Sequence, residues 1–270
     1  MKIKLMSLED CQKPIIKRVI EELTKELNKA AKSGDTEKAN GCWRELEATR
    51  LSIKYIGAFD KIKNKEYRDA WCDLEECEIK FGCLEKNSTK EFLLSSRALF
   101  IIDKVSKLQS LYPYRLFASP GFIVGYHTCN MCGHKVRPRS RCEHTKGKVY
   151  NGELCIHIAH DIEFFELSLV TNPVQKYSVI HNDEPSGFSL LNCLMNVLEN
   201  AFEEWDLTWT TKRFPIERFS NVLAEDKCPC KSNKVFEKCC MKNNEIEIPH
   251  VDFYFPKSKK KDQIEGFFPY

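Results

Sequence analysis

Two short stretches hold the residues best able to bind a metal ion. Cys129 and Cys132 form a Cys-x2-Cys pair, and Cys142 and His144 follow after a short basic loop. Three thiols and an imidazole are the donor set of a closed tetrahedral zinc site. A Cys-x2-Cys turn lets two sulfurs converge on one ion while backbone amides donate to them. The i, i+2 spacing of Cys142 and His144 predicts a strand with both side chains on one face. Asn151-Gly152 is a two-residue hairpin signal that folds the following strand back, so Cys155 or His157 could replace His144 as the fourth ligand. A catalytic zinc would keep an open position and a nearby base, for which Glu143, Glu153 and Asp161 are the available carboxylates. Four good protein ligands argue instead for a filled, structural site.

The second stretch, CPCKSNKVFEKCC, runs from Cys228 to Cys240 as Cys-x-Cys-x8-Cys-Cys. The vicinal Cys239-Cys240 pair could be read as a redox pair, but four thiols at this spacing are more simply explained by zinc. The segment resembles the SEC-C motif, a small zinc-binding element. The matching residues are Cys228, Pro229, Cys230, Ser232, Lys234, Phe236, Lys238, Cys239 and Cys240. The resemblance implies that Cys228, Cys230, Cys239 and Cys240 hold zinc and that the element binds partner proteins. Two positions depart from the motif, which usually has glycine where this chain has Lys231 and Asn233. Asparagine tolerates a left-handed backbone, whereas Lys231 is a harder fit if its position needs positive φ.

A second resemblance covers 122–180. Cys129 to Gly133, then Cys142, His144, Gly147, Tyr150 and Gly152, then Glu166, Ser168, Leu169, Val170 and Pro173 are similar to segments of phage-associated proteins. The last part resembles a strand and turn of phage prohead peptidases. That likeness implies a peptidase-like β domain carrying an inserted zinc hairpin, with Glu166 matching an acidic active-site residue. Ser168, with His127, His157, His160 or His181, is the material for a serine nucleophile and its base. No upstream strand supplies the family's nucleophile, and Ser168 is also what a half-buried strand with one polar residue would carry.

Composition bounds the rest. The chain has 270 residues and 14 cysteines, seven of them in the two clusters. Its start, MKIKLMSLED, has no apolar core of an export signal. Clustered cysteines without such a signal point to metal in a reducing, cytoplasmic setting rather than to a disulfide framework. Apolar runs such as Leu99–Ile102 are far too short to span a bilayer, so no membrane association is expected. Lys+Arg 42 against Asp+Glu 39 excludes a histone-like or a strongly acidic chain. Seven thiolates against two divalent ions would bring the formal +3 to zero. The flanking cations therefore have two readings: neutralisation of anionic metal centres, or phosphate binding. Arg137, Arg139 and Arg141 are the nucleic-acid candidates, and without interleaved aromatics they would contact phosphate rather than bases.

The elements that must position these groups read as an α+β chain. A helical region is expected over 1–115, a zinc-containing β module over 116–185, a helical connector over 186–226, and the SEC-C element with a terminal strand and basic tail over 227–270. Pro14 opens one helix and Gly34 stops it. Ser88-Thr89-Lys90-Glu91 has capping-box form ahead of a helix carrying Phe92 to Leu108. Strands are expected at Phe164 to Val170, Lys176 to Ile180 and through HVDFYF, and a helix from 188 to Trp205. The expected function is an intracellular, bacterial or phage-related zinc protein that binds another macromolecule as an adaptor or sensor. A protein partner is expected, with nucleic-acid binding and a peptidase as the alternatives.

Overall fold

Helical punctuation shapes the first half of the chain. A computed structural model describes residues 5–180, 185–232 and 234–256. Ser7 caps α1 (Leu8–Gln12) through a capping box with Asp10. α2 (Pro14–Ser33) starts on its proline and ends on Gly34, whose φ of 76° is left-handed. Asp35 then caps α3 (Thr36–Lys63) by accepting the Lys38 amide. α4 (Tyr67–Asn87) follows, and Leu51, Tyr55, Ile56, Ile62, Leu74 and Leu84 form its fully buried seam with α3. The expected helix after Ser88 is divided. Thr89, not Ser88, caps α5 (Lys90–Ser95), and α6 (Ala98–Ser110) begins only after Arg97, which takes a left-handed φ of 63°. Two serines weaken the joint, and the Arg97 guanidinium holds the kink by donating to the Leu5 carbonyl at 2.8 Å.

Two long antiparallel strands leave the helices. β1 (Leu116–Cys129) pairs along its whole length with β5 (His157–Val170). Short strands cover β1 only near its ends: β2 (Lys135–Val136) opposite His127 and Thr128, and β6 (Val179–Ile180) opposite Leu116 and Phe117. Trp71 anchors the base. Its indole N–H donates to the Lys176 carbonyl at 2.7 Å, and Tyr112, Tyr114 and Phe117 pack around its ring. Between the long strands, β3 (Val149–Tyr150) and β4 (Glu153–Leu154) form the Asn151-Gly152 hairpin, with φ of 51° and 80° at its corners. The strand expected after Asn151-Gly152 is interrupted at Cys155 and Ile156, where the chain turns toward the cysteine cluster.

The described residues fall into two compact units. One comprises 5–180 with 199–201, the latter tied in by Tyr55, whose hydroxyl donates to the Ala201 carbonyl at 2.9 Å. The other comprises the described residues of 185–198 and 202–256. It holds α7 (Ser189–Val197) and a ten-pair hairpin of β7 (Asp206–Pro215) with β8 (Glu245–Tyr254). α7 ends well short of Trp205, and β7 occupies a stretch read from sequence as helical connector. The second cysteine cluster lies in the excursion between β7 and β8. Phe219, Phe236, Ile246 and Ile248 form the core against which it packs.

Candidate metal centres

The first centre begins where β1 ends. Cys129 is buried, its amide donates to the His134 carbonyl at 3.0 Å, and the Gly133 amide returns to the Cys129 carbonyl at 2.8 Å. Gly133 closes this knuckle at a φ of 70°. The amides of Met131 and Cys132 point at the Cys129 sulfur, and that of His134 points at Cys132. Cys142 and His144 lie in a loop, not on the expected strand. They converge all the same, because a turn through Gly147 and the Tyr150 hydroxyl, which accepts the Thr145 amide at 2.8 Å, fold the loop back. The ligand atoms of Cys129, Cys132, Cys142 and His144 lie within 4.8 Å of one another. His144 Nδ1 is buried without a hydrogen-bond partner, an orphan that a metal ion would satisfy.

Cys155 is a fifth donor. It is fully buried, with its sulfur 3.8 Å from that of Cys129. A tetrahedral ion with bonds of about 2.3 Å to sulfur holds two sulfurs about 3.8 Å apart. His144 belongs to the converging set, and Cys155, though beside Cys129, does not. His157 lies opposite Cys129 in register and is not in the converging set. Burial and the neighbouring Cys129 thiol push the Cys155 thiol up to about 11. Burial also acts on Cys129, but the two knuckle amides outweigh it and hold that thiol below the ordinary range.

Asparagines that the sequence reading passed over hold this centre in place. Asn130 donates to Glu153 Oε1 at 2.9 Å and to the Leu154 carbonyl at 3.1 Å, and it accepts the Ile156 amide at 2.8 Å. Asn87 of α4 donates to the Gly147 carbonyl and accepts the Val149 amide, at 2.8 and 2.9 Å. Asn40 of α3 accepts the Gly152 amide at 2.8 Å. Asparagine carries both a donor and an acceptor, so Asn87 and Asn130 each splice two backbone segments, while Asn40 accepts one amide. These partners are far apart in sequence, and no local pattern announces them.

The second centre is all thiol. Cys228, Cys230, Cys239 and Cys240 bring their sulfurs within 4.8 Å of one another. Cys239 lies 3.5 Å from Cys230 and 3.6 Å from Cys240, again close to the tetrahedral edge. Cys228 donates its amide to the Lys234 carbonyl and accepts that of Lys231, at 2.8 and 3.0 Å. Lys231 does take a positive φ, 61°, so the glycine missing at this position costs backbone strain here. Asn233 lies outside the described residues. The Ser232 hydroxyl is 3.2 Å from both Cys230 and Cys239. Burial raises the Cys230 thiol, but Ser232 and the neighbouring thiols outweigh it and pull it down to about 6. Burial and the surrounding thiols push Cys240 up. All eight cysteines of the two centres and their fifth donor are unbridged, so each can act as a thiolate ligand.

The other candidates fall elsewhere. Arg137, Arg139 and Arg141 are exposed around a turn closed by Arg137 and Ser140, and among the described residues none pairs with a carboxylate. The Ser168 hydroxyl donates to Glu166 Oε1 at 3.2 Å. His160 stands on the same strand, roughly 25 Å from Ser168 at about 3.3 Å per residue, where it stacks on Tyr126 and bonds Thr128. His181 lies outside the described residues. No described helix is long and apolar enough to cross a membrane. No family model, no curated protein and no solved structure matches the chain.

Proposed function

We propose that this chain is a two-zinc protein whose work is to bind another protein, as an adaptor or sensor shaped by its metal centres. The observation that carries the reading is the filled donor set. Each centre offers at least four converging side chains, which leaves a tetrahedral ion no open position for substrate or water. Thiol-rich sets at these spacings select zinc over magnesium or calcium. Unbridged cysteines suit a reducing compartment such as the cytoplasm. The second centre is read as a SEC-C-type element, with Cys228, Cys230, Cys239 and Cys240 as its ligands and a protein as its partner.

The test is capture from a cognate cell extract. Metal-loaded chain should retain a defined protein that a Cys228→Ser/Cys239→Ser variant releases while the first unit stays folded. Equal capture by both forms would remove the second centre from the binding role. The three unpaired arginines favour nucleic acid as the second reading. It predicts salt-dependent binding that falls when Arg137, Arg139 and Arg141 become alanine.

A further inference from the structure

The long ribbon of β1 and β5 presents a continuous apolar face. In an antiparallel pair, opposed residues share a face. Phe122 opposes Phe164 and Val124 opposes Ile162, and beyond them Pro120 opposes Leu167 and Ala118 opposes Leu169. The register slips once, between Gly121 and Phe122, and Phe165 is the extra residue. That bulge keeps the even positions of β5 up to Phe164 and the odd positions from Leu167 on one side. The apolar pattern of β5 changes parity at the same point, so the composition follows the bend. The opposite side carries Asp161, Glu163, Glu166, Ser119 and Ser168, with Ile123 among them and Phe117 opposite Val170 at its base.

Among the described residues the apolar side stays largely exposed. Phe122, Ile158, Ile162, Phe164, Leu167 and Leu169 are between 44% and 64% exposed. Leu116 and its partner Ile180 extend the face at its base. At roughly 200 Å² for a fully exposed large side chain, these residues leave about 850 Å² accessible, against the ~800 Å² that each partner buries in a stable protein interface. A two-stranded ribbon alone is marginal in water and needs a layer on its face.

The geometry points to a second copy of this chain as that layer, the two ribbons packing apolar face on apolar face about a two-fold axis. From Leu116 to Val124 and on the β5 residues opposite, the face carries no carboxylate, lysine or arginine and calls for an apolar surface of matching length; toward Cys129 it ends in Tyr126, capped by Lys135, with His160 and Thr128 before Ile158. Among the described residues the remaining exposed large hydrophobics are dispersed over separate elements, which leaves the ribbon itself as the surface that fits. Face-to-face packing keeps the acidic sides of both ribbons in water and sets no like charges against each other. The inference does not rest on the metal reading, since Cys129, the cluster residue on the ribbon, is on its other side.

The test is the mass of the full, metal-loaded chain in solution by light scattering and sedimentation, over a range of concentrations. The expected result is a species of twice 31.5 kDa at micromolar concentration. Phe164→Glu should raise its dissociation constant at least 30-fold, the effect of losing one central anchor. Glu163→Gln, on the opposite side, should leave it unchanged. Phe164 is 59% exposed in one chain, so a folded Phe164→Glu monomer is expected, and unchanged circular dichroism checks it. Phe122→Glu gives the same reading should Phe164→Glu misfold. A wild-type chain that is monomeric throughout, a dimer indifferent to both phenylalanine variants, or a monomer whose face instead takes up lipid vesicles would each overturn the proposal.

Discussion

Truncating Phe236 to alanine should loosen the second metal centre without touching a ligand. Its ring is 3% exposed and lies with Phe219, Ile246 and Ile248 in the core that backs Cys228, Cys230, Cys239 and Cys240. The backbone of Phe236 is equally committed: its amide donates to Asp226 at 2.8 Å, and its carbonyl accepts the Cys239 and Met241 amides. Emptying such a site costs about 3–5 kcal/mol from lost burial and the cavity left behind. Ligand positions and local folding are linked, so destabilising the apo element weakens metal affinity only to the extent that the cavity persists in the bound form. If about 3 kcal/mol of the loss falls on the metal-bound form, affinity drops about 100-fold at 1.4 kcal/mol per decade. Competition against a chromophoric chelator on the intact chain measures this, with the first centre as internal control. One of the two ions should weaken by about two decades while the other holds. Phe236→Leu should recover most of the loss. An affinity at the second centre unchanged from wild type in the Phe236→Ala protein would refute the claim that this core positions the thiols.

Further outcomes follow from the same geometry. With the Cys155 thiol 3.8 Å from Cys129 and able to stand in for His144, His144→Ala and Cys155→Ser should each keep an ion at the first centre, and the double variant should lose it, as a metal count on each will show. Gly152→Ala should lower thermal stability by about 1–3 kcal/mol, because its Cβ would meet Leu27 at 3.1 Å on a backbone of positive φ. Replacing Arg137, Arg139 and Arg141 with alanine should change folding stability by less than about 0.5 kcal/mol each, since all three are exposed and unpaired. Burial, aided by nearby Glu78, raises the Glu75 carboxyl above its ordinary value. The folded chain then holds a proton that the unfolded chain releases at lower pH, so stability falls as pH rises through that interval. Melts of Glu75→Gln between pH 4 and 8 should lack this part of the slope.

Local chemistry carried much of the fold. Gly34, Pro14, Asp35 and the Asn151-Gly152 corner act through their own backbone preferences, so their neighbours in sequence reveal them. Cysteine spacing does the same for both metal clusters. What stayed hidden depends on distant partners. Arg97 breaks a helix because its guanidinium reaches Leu5, and Asn40, Asn87 and Asn130 matter because of the carbonyls and amides that tertiary packing brings to them. β7 escaped because Leu207, Trp209 and three threonines make a weak alternation that a charged, half-exposed strand does not sharpen. Cys155 could be named as an alternative ligand, but only the return of β4 toward the knuckle places its sulfur beside that of Cys129.

The central claim is that two thiol-rich centres each grip one ion and so give both units their shape. Elemental analysis of the purified chain, paired with circular dichroism before and after a strong chelator, tests it most directly. The account predicts two equivalents of zinc per chain and loss of ordered structure around both clusters when the metal is withdrawn. A chain that carries no metal and keeps its spectrum and melting temperature in chelator would contradict it.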